Sequence, residues 1–408
     1  MKMKRWLFLS APLGFAMTVL MMIPIVMAQG EESAPRVVLG TTRYVATDGL
    51  CNGNTPCYDH IQTAVNAATD GDEIFIDSGI YTENVVISTD LTLQGVDALS
   101  VTIDGNMDNT VVVIASNTAV TLTNITLANG SNDIYCGSGL SNYGTTQLTN
   151  MIIRDNVTGC AGGGVANEGT IHISNTLIMS NTSSLGGGGL YNGETGTAII
   201  NQSTIRHNID AGIFNAGTLT VNNSTLNNNE PTFSGSLEGT TGIYNHDGTL
   251  TINNSTFSED SLGMVNGAVT VTNSTLNGLI FYDKGMVALH NTIVKGCMAH
   301  SEAGEIISLG HNLGFDSSCG LTEAGDIQNT NLMLAPLQDN GGPTETHMLL
   351  WGSPAINAGD NDTCTNAPIN GLDQRGIARP FLEQCDIGAV ELDLVLDQTT
   401  FLPLIVKN

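Results

Sequence analysis

The sequence predicts an all-β fold, a single-stranded parallel β-helix (solenoid) with a short N-terminal capping helix. Three observations predict it: a pattern that returns eight times between Val120 and Val294, a second column of asparagines among glycine-rich bends, and a composition of only 5% aromatic and 12% charged residues. The pattern reads apolar, any, apolar, any, Asn, two small or β-branched residues, apolar. Its amides are Asn124, Asn150, Asn175, Asn223, Asn254, Asn273 and Asn291, with Gln202 in the remaining turn, at spacings of 18 to 31 residues. Alternation at period two denotes strand, and a return every ~20 to 30 residues sets each strand beside its counterpart one coil later.

Two residues before these amides stand Leu122, Leu148, Ile173, Ile200, Val221, Ile252, Val271 and Leu289. Three residues after them stand Leu127, Ile153, Ile178, Ile205, Leu226, Phe257, Leu276 and Val294. None of these sixteen is polar, so all are expected in the core. The amides between them read as an inward-facing structural ladder, each satisfying its neighbour one coil away. Several lie in Asn-X-Ser/Thr triplets, such as those at Asn223, Asn254 and Asn273, which match glycosylation acceptors. Recurrence at one place in coil after coil favours the structural role. The second column comprises Asn142, Asn167, Asn192, Asn215, Asn245 and Asn266, most of them following bends such as Gly162-Gly163-Gly164.

At the N-terminal side, Lys2, Lys4 and Arg5 precede an apolar run from Trp6 to about Met27, which reads as a signal peptide over residues 1–28 cleaved after Ala28. Residues 29–42 read as a flexible lead-in, and 43–300 as the solenoid with its N-terminal cap. Asp59 and Gln62 match a capping box, with Ile61, Ala64, Val65 and Ala68 at helical spacing. Residues 301–395 form C-terminal coils and a cap. The tail, 396–408, is a sorting or attachment segment or a last strand, and is too short to span a bilayer. No transmembrane span is expected after signal removal, and a monomer is expected.

Twelve Lys and Arg against 39 Asp and Glu give a net charge of −27, which excludes nucleic acid and anionic membranes as natural partners. The 41% hydrophobic share excludes disorder by composition. Eight cysteines in an exported chain imply disulfides. Cys136 and Cys160 precede the bends of adjacent coils, Cys51 and Cys57 close a short loop, and Cys297 with Cys319 and Cys364 with Cys385 bracket local excursions. Consecutive pairing follows. No two cysteines have the spacing usual for zinc. Calcium is compatible with the abundant carboxylates, including Asp360 and Asp362, but no complete ligand spacing is present.

The stretch from Cys51 to Gly95, with Pro56-Cys57, Ile61-Gln62, Gly71-Asp72, Tyr81, Glu83-Asn84 and Leu91-Thr92-Leu93, resembles the opening coils of the pectin-lyase-like right-handed parallel β-helix superfamily. Gly187 to Asn192 resembles polymorphic outer-membrane protein repeats. The C-terminal part carries Gly310-His311-Asn312-Leu313, Asn340-Gly341-Gly342-Pro343-Thr344, Ser353 to Gly359, Asp373-Gln374-Arg375-Gly376 and Cys385 to Glu391. Together these resemble the choice-of-anchor Q family of bacterial surface proteins. The resemblance implies a right-handed coil and a secreted or cell-surface location, and it implies no reaction.

Four residues after each ladder amide, Arg154, Met179, Arg206, Asn227, Ser258, Asn277 and Lys295 should line one outer edge. Within this column Arg206, His207 and Arg154 are the catalytic candidates, because acidic-polysaccharide lyases of this fold use an Arg or Lys base. The paired Asp residues of the fold's hydrolases are missing from the pattern. Arg375 and Arg379 among Asp373, Asp386 and Glu391 are read as structural ion pairs. The favoured reading is a non-catalytic protein whose rigid face serves adhesion or glycan binding, with an extracellular polysaccharide or cell-envelope component as partner and no cofactor. A polysaccharide lyase or glycoside hydrolase is the alternative.

Overall fold

Alternating apolar residues build three parallel ladders in the computed structural model, which describes residues 40–134, 136–231, 241–300 and 304–393. The segment expected to be a signal peptide, most of the expected lead-in and the C-terminal tail lie outside the described residues. The first ladder runs from Thr42–Val45 and Asp72–Ile76 through Thr145–Thr149 to Gly304–Ser308. Its inward column stacks Leu122, Leu148, Ile173, Ile200, Val221, Ile252, Val271 and Leu289 in continuous register. The second ladder stacks Leu127, Ile153, Ile178, Ile205, Leu226, Phe257, Leu276 and Val294 in the same way. All sixteen predicted positions are buried, none more than 2% exposed. A third ladder, from Val85–Ile87 through Val165–Asn167 to Leu262–Val265, closes the prism. The fold is a right-handed parallel β-helix.

The repeat asparagines play a different part from the one expected. They sit at the corner between the first and second ladders, and all eight repeat positions, Gln202 included, have φ between 45° and 59°. Among non-glycine residues Asn tolerates this left-handed conformation best, so the turn selects it for its backbone. Asn150 and Asn175 are exposed and Asn124 and Asn223 half-buried. Asn254, Asn273 and Asn291 are buried because the C-terminal segment covers them: Asn254 Nδ2 donates to Leu372 O at 2.8 Å, and Asn291 Oδ1 accepts from Asp360 N at 2.8 Å. Asn150 Nδ2 donates to Asn124 Oδ1 at 3.2 Å as expected of a ladder, but from Thr176 on the residue after the corner supplies the stacking. The backbone N–H groups of Thr176, Ser203, Ser224 and Ser255 donate to the hydroxyls of Ser203, Ser224, Ser255 and Ser274 one coil on, at 3.1 to 3.2 Å.

Two amide ladders do fill the interior. Asn142, Asn167, Asn192, Asn215 and Asn245 donate side chain to side chain at 2.6 to 2.8 Å and are fully buried. Asn266 does not continue this column, since Met264 takes the register position and Asn266 is an exposed left-handed turn residue. The other ladder, absent from the sequence reading, is Asn156, Asn181, Asn208, Asn229 and Asp260, at 2.9, 3.0, 2.9 and 2.5 Å. Each acceptor oxygen in it, or its partner on the same side chain, also takes a backbone N–H.

The helix Ile61–Ala67 covers the first coil with Ile61, Ala64 and Val65. Its cap is not Asp59, which pairs with His60. Glu83 accepts from the backbone N–H of Ile61 and of Gln62 at 2.8 and 2.9 Å, a carboxylate suited to the positive end of the helix. Thr42 belongs to the first strand, and Thr41 N–H donates to Asp72 at 2.7 Å. The cysteines are joined consecutively, 51 to 57, 136 to 160, 297 to 319 and 364 to 385.

The C-terminal region departs from the expected terminal cap. Cys319 and Leu321 join the core at the last coil, but the chain then runs along the side of the solenoid, over corners from Asn223 to Asn291. An antiparallel hairpin, Leu334–Gln338 with Thr346–Leu349, and the helix Asn361–Thr365 belong to this lateral layer.

The two kinds of asparagine are separable by mutation. Asn175→Gly is expected to leave the urea midpoint nearly unchanged and Asn175→Ala to cost about 1 kcal/mol. Asn181→Ala orphans buried groups of Asn156 and Asn208 and is expected to cost roughly 2 kcal/mol or more. The opposite order of midpoints would make the corner asparagines the stacking ones.

Candidate functional site

The second ladder fixes one row of outward side chains, because each follows a buried core residue at strand alternation. Arg154, Met179, Arg206, Asn227, Ser258 and Asn277 are successive register partners, and Lys295 follows Val294 on the next rung. From Arg206 to Lys295 this row is the floor of a groove of about 780 Å³. The opposite wall is the lateral layer, with Asn331 to Leu337, Glu345 and His347. A smaller groove of about 440 Å³ continues past Arg206 toward Gln202 and Asn175, beneath the turn that carries Asp339 and Gly342 to Glu345.

The candidates fare differently. Arg206 lies in the groove, and its Nε is buried without a protein partner. His207 also lines it, exposed at a left-handed corner with φ 53°. Arg154 is two rungs away, outside both grooves, and pairs with Asp155. Arg206 therefore shares a groove with Lys295, four rungs away, while the nearer Arg154 lies outside it. Asn227 adds a buried Oδ1 that has no protein partner.

Sequence reasoning missed His347. It sits in a hairpin strand only 5% exposed, and its two ring nitrogens are both engaged. Nδ1 lies 2.7 Å from Ala335 O and Nε2 3.0 Å from Ser258 Oγ. A carbonyl only accepts, so Nδ1 carries the proton and Nε2 accepts from the Ser258 hydroxyl. Burial lowers the basicity of this imidazole, against a smaller opposing pull from Ala335 O and the nearby Glu259. Thr346-His347-Met348-Leu349 carries no alternation of polar and apolar residues, so the sequence gives no local signal for the burial of His347 or for its partner.

The hairpin is bound firmly to the coils. Thr225 Oγ1 donates to Glu345 O at 2.6 Å, and the buried Gln374 amide donates to Thr225 Oγ1 and Thr344 Oγ1 at 2.9 Å each while accepting from Thr256 Oγ1 at 2.6 Å. Beneath it Arg375 grips Asp373 at 3.0 and 2.8 Å, and Arg379 lies 3.5 Å from Glu391. Burial pushes the carboxyls of Asp386 and Glu391 above their ordinary range, although both accept backbone N–H groups. This cluster is packing for the lateral layer and lines neither groove. Asp360, considered for calcium, caps the helix Asn361–Thr365. Among the described residues no group of three His, Cys, Asp or Glu is gathered as metal ligands. Among them, too, no helix is long and apolar enough to cross a membrane.

The architecture is a right-handed parallel β-helix. The crystal structure of pectate lyase Pel9A is similar with TM-score 0.51 and 14% identity, over 87% of this chain and 98% of that one. The pectin methylesterase of Aspergillus niger gives TM-score 0.37 and 16% identity, over 73% of this chain and 92% of that one. Geobacillus virus E2 ORF18 gives 0.37 and 12%, over 66% and 62%. No family model matches the sequence, and no curated protein matches it. At these identities the likeness defines the fold alone.

Asp260 ends the interior ladder, and burial raises its pKa from 3.8 to about 7 against the hydrogen bonds from Asn229. The folded state thus holds this proton more tightly than the unfolded chain. The associated stability is full at low pH and is lost as pH rises from about 4 through about 7. Asp260→Asn keeps an acceptor for Asn229 and removes the penalty. Its melting temperature is expected to match that of the parent near pH 4 and to exceed it near pH 8, as read by calorimetry. A gap that does not change with pH would refute the assignment.

Proposed function

We propose that the protein is an exported, cell-surface or secreted β-helix protein of the choice-of-anchor Q type, whose lateral groove binds a polysaccharide chain without cutting its glycosidic bonds. One observation carries the reading. Of the seven described basic side chains, Arg43, Arg154, Arg375 and Arg379 pair with carboxylates and Lys284 is exposed outside the groove, whereas Arg206 and Lys295 line one groove with no ion-pair partner. In a chain of net charge −27, unpaired cations gathered in a groove favour a ligand rich in oxygen.

The spacing supports binding over cleavage. Arg206 and Lys295 are four rungs apart, ~19 Å at ~4.8 Å per rung. That is too far for both to act on one scissile bond. It suits a polymer lying along the coil axis, with Asn227, Ser258 and Asn277 offering one polar side chain per rung between them. The consecutive disulfides support an extracellular setting.

Binding to a panel of extracellular polysaccharides by affinity electrophoresis tests this. Arg206→Ala and Lys295→Ala are each expected to weaken binding about tenfold, the loss of one charge-assisted hydrogen bond. Unchanged binding in the double variant, or release of unsaturated or reducing-end products by the parent, would replace this reading.

A further inference from the structure

The groove contains one arrangement that binding alone does not use. Ser258 occupies the middle rung, two rungs from Arg206 and two from Lys295. Its hydroxyl faces His347 Nε2 at 3.0 Å, and the imidazole is held in one tautomer by Ala335 O at 2.7 Å. Both residues line the groove. A hydroxyl bound to an oriented, neutral imidazole is the pairing that activates a serine for acyl transfer. The third member is here a backbone carbonyl, which fixes the ring without adding charge.

We propose that Ser258 and His347 are a nucleophile and base that hydrolyse O-acyl ester substituents on the chain held in the groove. This rests on the reading that the groove holds a polysaccharide, and it departs from a purely non-catalytic role. Ser258 Oγ attacks the ester carbonyl carbon while its proton passes to His347 Nε2. The tetrahedral oxyanion lies between Asn227 and Asn277, whose side chains flank Ser258 one rung on either side and line the same groove. The carbon to sugar-oxygen bond then breaks, and His347 returns the proton to the leaving sugar hydroxyl. Water, deprotonated by the same imidazole, attacks the acyl-serine and releases the carboxylic acid and free Ser258. No oxidant or metal is required. The glycan backbone is left whole.

The charged groups around the pair are Glu259 from the coil corner, Glu345 from the hairpin, and Arg206, His207 and Lys295 from the floor. Glu259 bears on the imidazole electrostatically and stabilises the imidazolium formed during attack. The rate is therefore expected to rise to a plateau as His347 deprotonates.

The test uses the full chain. With 4-nitrophenyl acetate and O-acetylated polysaccharides, acetate release is expected, and a fluorophosphonate is expected to label Ser258, as mapped by mass spectrometry. Ser258→Ala is expected to abolish labelling and to lower release at least 100-fold, while polysaccharide binding, which loses one polar contact among several, weakens less than tenfold and the fold is retained by circular dichroism. His347→Gln should also abolish release; because it touches the hairpin anchor, it is read together with the serine variant. Intact polysaccharide binding with neither release nor labelling, or release that survives Ser258→Ala, would overturn the pair as catalytic and leave the binding groove standing. Absence of binding to any polysaccharide would instead overturn the groove's assignment.

Discussion

A narrow prism of stacked coils must turn its backbone at corners while keeping polar groups away from water. The buried amides solve this. In the ladder from Asn156 to Asp260 each asparagine accepts from the coil on one side and donates to the coil on the other, and Asp260 is the last acceptor, so no rung is satisfied unless its neighbours are in register. Register therefore propagates from coil to coil, although the coils range from 18 to 31 residues in length. The ladder ends at Asp260 for a structural reason. The next strand, Thr275–Tyr282, runs straight from the second ladder into the third, and Gly278 occupies the place where the corner would be.

Much of this was legible in the sequence, and the misreadings share a cause. The sixteen core positions were read correctly because burial at strand alternation is a local property. The corner asparagines were read as interior because the residue type is the same for two different reasons: tolerance of a left-handed backbone, and paired hydrogen bonding. The ladder from Asn156 to Asp260 had a signal, a constant offset of six residues after the amides at 150, 175, 202, 223 and 254. Separating the two kinds requires knowing which side of the backbone faces in.

The site divides along the same line. The floor, with Arg206, His207, Ser258 and Lys295, follows from the repeat. The wall does not, since His347 meets Ser258 across 89 residues and Glu345 meets Thr225 across 120, with no periodicity to announce either contact. The helix cap follows the same rule on a smaller scale: Asp59 is nearby in sequence, yet Glu83 does the capping because the second coil returns beneath the helix. Periodic structure reveals neighbours one coil apart, while a segment that doubles back is silent until it docks.

That doubling back links competence to completion. A solenoid grows by nearest-neighbour stacking, so its early coils need nothing from the far end of the chain. The recess, however, exists only once the last-made stretch has returned to lean against coils finished long before. Until then the half-built stack is a bare rod with an open flank, and the groove is complete only when residues 331–347 have docked.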